Sequence, residues 1–268
     1  MRYGLTLPIF DELSEPALLA ELAAEAETAG WDGIFVWDHV YYRAPVRAVA
    51  DPWISLAAMA VATSSVAIGT MVTPLARRRP QVVARQLATL DRLSNGRVML
   101  GTGLGLDSSG GEFERFGEQP EEVSERAERY DESLECLSGL LSGEAVDFDG
   151  RYVTARDVCF LPRPVRDHLP IVIGARWPNR RPLERAARYD GVFPIELESP
   201  ADLAAACSFV AERRPDGLDG FEVVVQGSAG DDPRPWADAG ATWWLNGFDP
   251  FAVTADAVRA AIRDRPRT

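Results

Sequence analysis

The sequence predicts a single (β/α)8 barrel over residues 1–268, from three observations. Eight short apolar or β-branched runs recur along the chain, helix-like stretches separate them, and chemistry-bearing residues follow the runs. At 268 residues the chain reaches the roughly 250 that such a barrel needs.

Strand one is Tyr3–Ile9, followed by Leu18, Leu19, Leu22, Ala26 and Ala29 at helical spacing. Strand two, Gly33–Trp37, runs into Asp38-His39. Strand three, Val66–Val72, opens into Thr73-Pro74 and the run Arg77-Arg78-Arg79. The third helix starts at Pro80, carries Val83, Leu87, Leu90 and Leu93 on one face, and stops at Asn95-Gly96. Strand four, Arg97–Thr102, ends in the pattern Gly101-Thr102-Gly103-Leu104-Gly105. Strands five to eight are Ile171–Gly174, Gly191–Ile195, Phe221–Val225 and Ala241–Leu245. The glycines, prolines and aspartates of Gly227–Gly240 leave little room for a seventh helix.

The spacing between strands four and five is far longer than a crossover requires, so an insertion is expected there. It reads as a Gly/Ser-rich loop at Leu104–Gly111, a charged amphipathic helix at Glu121–Leu141, and a hairpin at Ala145–Thr154 turning at Asp149-Gly150. The loop leaves strand four at the catalytic face and is a candidate lid.

Composition removes several classes of chemistry. A formal net charge of −13 disfavours nucleic acid and anionic membranes as partners, leaving a small-molecule substrate. No apolar run of about 18 residues and no secretory pattern is present, so a cytoplasmic location is expected. Every basic residue other than histidine is arginine, which removes Schiff-base and pyridoxal-phosphate chemistry. Two histidines, His39 and His168, argue against a multi-histidine metal centre. Cys136, Cys159 and Cys207 lack metal-ligand spacing and read as buried structural thiols. Carboxylate chemistry or a bound organic cofactor remains.

At a strand end in a barrel, His39 is the leading acid/base candidate, because histidine ordinarily titrates near neutrality. A structural histidine bonded to a neighbouring loop is the alternative. Asp38 either orients the imidazole or caps the next segment. The triple arginine reads as a solvated face rather than an anion grip, and the strand-four glycines fit close backbone packing as well as phosphate binding. Backbone amides after Gly174-Ala175-Arg176 offer a phosphate cradle. Strand six reads as an ordinary core strand. Of the paired indoles Trp243 and Trp244, one is expected to pack outward and one to fill the barrel. A hydrolase using Glu112 and Glu114 ranks behind a cofactor enzyme, because side chains two apart do not converge on one substrate.

Several stretches together resemble the luciferase-like flavin-dependent monooxygenase family, in particular its short bacterial members. They are Trp37-Asp38-His39, Leu90–Arg97, Leu100–Gly103, Glu112–Gly117, Arg185–Gly191 and Gly240–Trp244. The resemblance implies a barrel that holds FMN or the 8-hydroxy-5-deazaflavin coenzyme F420 in its mouth, usually in a homodimer. By position, Met71-Val72 would form a bulge supporting the cofactor ring, with Asp38, Thr102, Gly103 and Leu104 nearby. Gly174, Ala175 and Arg176 would meet the phosphate, and His39 would face the reactive ring.

Deazaflavin-dependent sugar-phosphate dehydrogenases place a carboxylate where this chain has Leu104, and light emission does not carry over to so short a chain. The implied activity is hydride transfer, or oxygen activation by FMN with a separate flavin reductase. A flavin-binding protein of the same fold without turnover is the alternative. Deazaflavin lacks the ring nitrogen required for normal flavin chemistry with oxygen, so cofactor identity separates dehydrogenase or reductase from monooxygenase.

Overall fold

The computed structural model describes residues 1–117 and 122–265. Eight parallel strands close into a barrel: β1 (Arg2–Leu7), β2 (Gly33–Val36), β3 (Ala67–Pro74), β4 (Val98–Gly103), β7 (Ile171–Arg176), β8 (Gly191–Ile195), β9 (Glu222–Gly227) and β10 (Trp243–Asn246). Around the ring the order is β1-β10-β9-β8-β7-β4-β3-β2. The eight expected runs each overlap one of these strands, with boundaries shifted by no more than two residues and Gly191–Ile195 unshifted.

Local chemistry explains where the crossover helices begin. Asp51 accepts a hydrogen bond from the Ile54 amide ahead of α2 (Pro52–Ala62), with Pro52 in the first helical turn. The third helix, α3 (Pro80–Leu93), starts on its proline and is followed by Asn95 and Gly96 at φ of 55° and 82°. A Ser199–Asp202 capping box opens α6 (Pro200–Ala211). The crossover expected to be short contains only α7 (Arg234–Asp238).

Between β4 and β7 lie α4 (Val123–Ser142) and an antiparallel hairpin of β5 (Ala145–Asp149) and β6 (Thr154–Cys159). The expected start of the amphipathic helix at Glu121 lies outside the described residues. The hairpin runs on to Cys159, beyond the expected Thr154, because the segment up to Thr154 is only its first strand and turn.

Most buried apolar side chains sort into two layers, with a small third cluster of Phe10, Tyr42 and Val46. Phe35, Met71, Met99, Val172, Phe193 and Trp243 fill the barrel interior with Val224 and Leu245, while a larger layer lies between strands and helices. Trp243 meets Phe35 edge-on at 5.6 Å inside the barrel. Trp244 belongs to the outer layer, with Trp236 at 6.4 Å. The Gly101 reading of close backbone packing is explained by geometry: a Cβ there would collide with the Thr70 carbonyl and the Met71 sulfur.

One cysteine expectation is corrected. Cys136 and Cys207 are buried, but Cys159 is exposed because it ends a hairpin strand lying on the surface. Among the described residues no helix is long and apolar enough to cross a membrane.

Candidate active site

The C-terminal ends of the strands surround a cavity of about 1050 Å³. Asp38 and His39 after β2, Met71 and Val72 in β3, Gly103 and Leu104 at the end of β4, and Gly174 and Arg176 in β7 all line it. Thr102 and Ala175 do not. Thr102 is fully buried and its hydroxyl donates to the Thr73 carbonyl at 3.0 Å, whereas Ala175 packs into the outer apolar layer. Strand alternation sends both side chains away from the mouth.

In β3 the register against β4 shifts between Thr70 and Thr73, and the Met71-Val72 peptide is cis. This is a bulge in the strand at the position expected for ring support. Two glycines flank it. A Cβ on Gly103 would lie 3.1 Å from Val72 Cγ2, and one on Gly174 would lie 3.4 Å from the Thr102 carbonyl and 3.5 Å from Val72 Cγ1. Bare backbone on both sides of Val72 therefore leaves a cradle that larger residues would fill.

At one side of the cavity, His39 Nδ1 lies 2.7 Å from Glu112 Oε2. The other Glu112 oxygen accepts from the Val40 amide at 2.7 Å and pairs with Arg77. Arg77 also donates to an Asp38 carboxylate oxygen at 3.0 Å, and Arg78 donates to the same oxygen at 2.6 Å. The Thr73 hydroxyl donates to the second Asp38 oxygen at 2.9 Å. Asp38 and Glu112 are only 1% and 3% exposed. Burial pushes the Glu112 carboxyl up, but the His39 hydrogen bond and charge, the Arg77 guanidinium and the Val40 amide outweigh it and hold it below its ordinary value.

Nδ1 is thus committed to Glu112, and Nε2 is the remaining nitrogen on a ring that borders the cavity. Phe10 and Tyr42 flank the ring, with Tyr42 edge-on at 5.0 Å. A fixed imidazole with one free nitrogen can accept or donate one proton.

The solvated-face reading of the triple arginine is corrected for two of its members. Arg77 and Arg78 turn inward because the buried carboxylates of Asp38 and Glu112 require compensation, and only Arg79 is exposed. Glu112, read earlier only as half of a carboxylate pair, is the partner of His39. Glu114 is exposed, so the two glutamates do not converge. The core-strand reading of strand six is also corrected. Phe193, Pro194 and Ile195, with Glu196 and Leu197 beyond, line the cavity because β8 extends its C-terminal end along the wall.

The opposite side is formed by β7, β8 and α5 (Arg180–Ala186). Arg176 pairs with Glu196 at 2.9 Å, and Glu196 holds φ at 63°. Arg180 stacks on Trp177 and Phe209 at 5.2 and 4.6 Å. Arg185 is locked to Asp131 by two hydrogen bonds of 2.6 and 2.9 Å. Among the described residues Arg180 and Arg181 have no carboxylate partner, although both line the cavity.

Three comparisons bear on this arrangement. An uncharacterized protein of Mycobacterium tuberculosis is 29% identical over 271 residues, spanning 92% of each chain. The F420-dependent glucose-6-phosphate dehydrogenase of Nakamurella multipartita is 36% identical over 172 residues, which cover 61% of this chain and 48% of that one. An F420-dependent secondary alcohol dehydrogenase in complex with an F420-acetone adduct superposes with a TM-score of 0.80 at 19% identity, covering 98% of this chain and 96% of the other. The last shows a shared fold. Residues 1–261 match the family model for luciferase-like monooxygenase, and the chain therefore belongs to the luciferase-like monooxygenase family of oxidoreductases.

Proposed function

We propose that this protein is an oxidoreductase that binds FMN or coenzyme F420 in the barrel mouth and acts on a small organic substrate beside His39. The observation that carries the reading is the Val72 bulge, flanked by Gly103 and Gly174, on the wall of a cavity that has His39 at one side and arginines at the other. A flat ring fits such a cradle, and the residues present fit an anionic tail as well. F420 dependence in the names of the two relatives cited above supports the same reading.

Met71, Val72, Gly103 and Gly174 would hold the ring, with Leu104 at its edge. Arg176, helped by Arg180 and Arg181, would hold the phosphate through charge-assisted hydrogen bonds. When bound, either cofactor supplies hydride transfer, and FMN reduced by a separate flavin reductase supplies oxygen activation instead. His39 Nε2 holds or gives the substrate proton, while Glu112 fixes the ring and balances the imidazolium. Asp38 acts one step further back: it anchors Arg77 and Arg78 rather than touching the cofactor. Apolar walls from Trp37, Met71 and Phe193 keep water from the reacting atoms. The proposal includes a homodimer as the working assembly.

The test is a titration of the purified protein with FMN and with F420, followed by absorbance and fluorescence. Saturable binding of one of them is expected, and the preferred cofactor decides between hydride transfer and oxygenation. Failure of both to bind removes the reading.

A further inference from the structure

We infer that the substrate of this site is an uncharged alcohol or carbonyl compound of apolar character, and that the site rejects phosphorylated sugars. The inference rests on the cofactor reading above, which commits the arginines beside β7 to the cofactor's phosphate. It departs from the substrate in the name of the Nakamurella relative.

The argument is a charge inventory of the cavity. A phosphate group leaving water needs guanidinium or backbone donors where it arrives. Five cationic or potentially cationic side chains line the cavity: His39, Arg176, Arg180, Arg181 and Arg185. The four arginines all belong to β7 and α5, and β7 stands three strands from β2 in a ring of eight, across the mouth from His39. Arg185 is already held by Asp131, and Arg176, Arg180 and Arg181 are the ones the cofactor reading assigns to the phosphate.

On the His39 side, the two arginines of the carboxylate cluster are engaged with the carboxylates of Asp38 and Glu112 rather than with the cavity. Arg77 and Arg78 do not line the cavity, and both are drawn back onto Asp38 and Glu112. Two carboxylates face two guanidiniums there, so the cluster is electrically balanced when the imidazole is neutral. Protonating His39 adds a single charge, which suits one hydroxyl or carbonyl oxygen. A dianionic phosphate would remain uncompensated.

Apart from the carboxylates of Asp38 and Glu112 and the hydroxyls of Ser109 and Ser124, the lining beyond β2 and along the loop and helix start after β4 is apolar. Trp37, Leu104, Leu106 and Val123 belong to it, and none of these side chains can charge-pair with an anion. Such a wall rewards hydrocarbon and penalises an ionised group, which is discrimination by an unpaired charge.

The experiment uses protein saturated with whichever cofactor binds, and ligand-observed NMR to measure binding of cyclohexanol, cyclohexanone and glucose 6-phosphate. The neutral pair is expected to bind at least tenfold more tightly than the sugar phosphate, and His39→Ala is expected to weaken the alcohol. Leu106 is exposed on the loop beyond β4 that carries Glu112 to His39, so Leu106→Arg adds a cation to that loop's part of the lining at a position that tolerates it. That variant is expected to raise glucose 6-phosphate affinity at least tenfold while the cofactor Kd stays within twofold. The inference is overturned if the loaded wild-type protein binds glucose 6-phosphate as tightly as the ketone, if neither neutral probe binds, or if Leu106→Arg leaves sugar-phosphate binding unchanged. A protein that binds neither cofactor would instead sink the functional reading, and this inference with it.

Discussion

The two sides of the cavity handle charge in opposite ways. Beside β2 and β3, Asp38, Glu112, Arg77 and Arg78 form a buried cluster in which each carboxylate has a guanidinium. Beside β7 and α5, Arg176, Arg180 and Arg181 are exposed, and Arg180 and Arg181 lack carboxylates among the described residues. Buried charges that match one another set geometry and are costly to break. Exposed, unmatched charges contribute little to stability and remain available to a diffusible anion. On the proposed reading, the difference separates a side that would orient the reacting proton from a side that would grip a ligand.

The largest expected effect comes from unbalancing the matched side. Arg77→Ala removes the guanidinium on Glu112 and one of the two on Asp38, leaving Glu112 with His39 and the Val40 amide, and is expected to cost about 3–5 kcal/mol in urea denaturation. Arg181→Ala, on the open side, is expected to change stability by no more than about 0.5 kcal/mol. Similar losses from both would erase the contrast.

Next in size is the proton step. His39→Ala is expected to slow substrate turnover by about 100-fold or more, with cofactor affinity retained. An unchanged rate would make His39 structural. Filling the cradle comes third: Gly174→Leu places carbon against the Thr102 carbonyl and Val72, so the cofactor Kd is expected to rise at least tenfold, about 1.4 kcal/mol.

The smallest effects concern pH. Glu112 is held below its ordinary value in the folded protein, so its stabilising contribution is complete above the unfolded carboxylate value and disappears as pH falls through the folded one. Glu27 gives a reference far from the cavity. Burial raises its carboxyl, but hydrogen bonds from Ser64, Ser65 and Val66 prevail and bring it to about 2 from 4.5. Its contribution is present above pH 4.5 and is lost between there and about pH 2. Glu112→Gln and Glu27→Gln are each expected to flatten acid denaturation curves, and a steeper curve in either variant would contradict the sign.

Much of the barrel is legible because strand and helix periods repeat and because the turn chemistry is explicit. Pro80 and Asn95-Gly96 bracket α3 as the pattern predicts, and Trp243 and Trp244 divide between the two layers as strand alternation demands. Strand-end position also brings His39, Met71, Val72, Gly103, Leu104, Gly174 and Arg176 to the cavity wall. Arg77 and Arg78 escape such reading because an arginine run looks solvated until a buried carboxylate is found to face it. Glu112 lies far from His39 in sequence on a loop with no period, and only the closed barrel brings the two to 2.7 Å. The wall formed by β8 has no composition that distinguishes it from core.

Cofactor affinity measured side by side in His39→Ala and Gly174→Leu tests the division of the cavity most directly. Expected is a Kd within twofold of wild type for His39→Ala and at least tenfold weaker for Gly174→Leu, with both variants folded by circular dichroism. The reverse pattern, cofactor binding lost with His39 and indifferent to Gly174, would contradict a cofactor seated in the Val72 cradle.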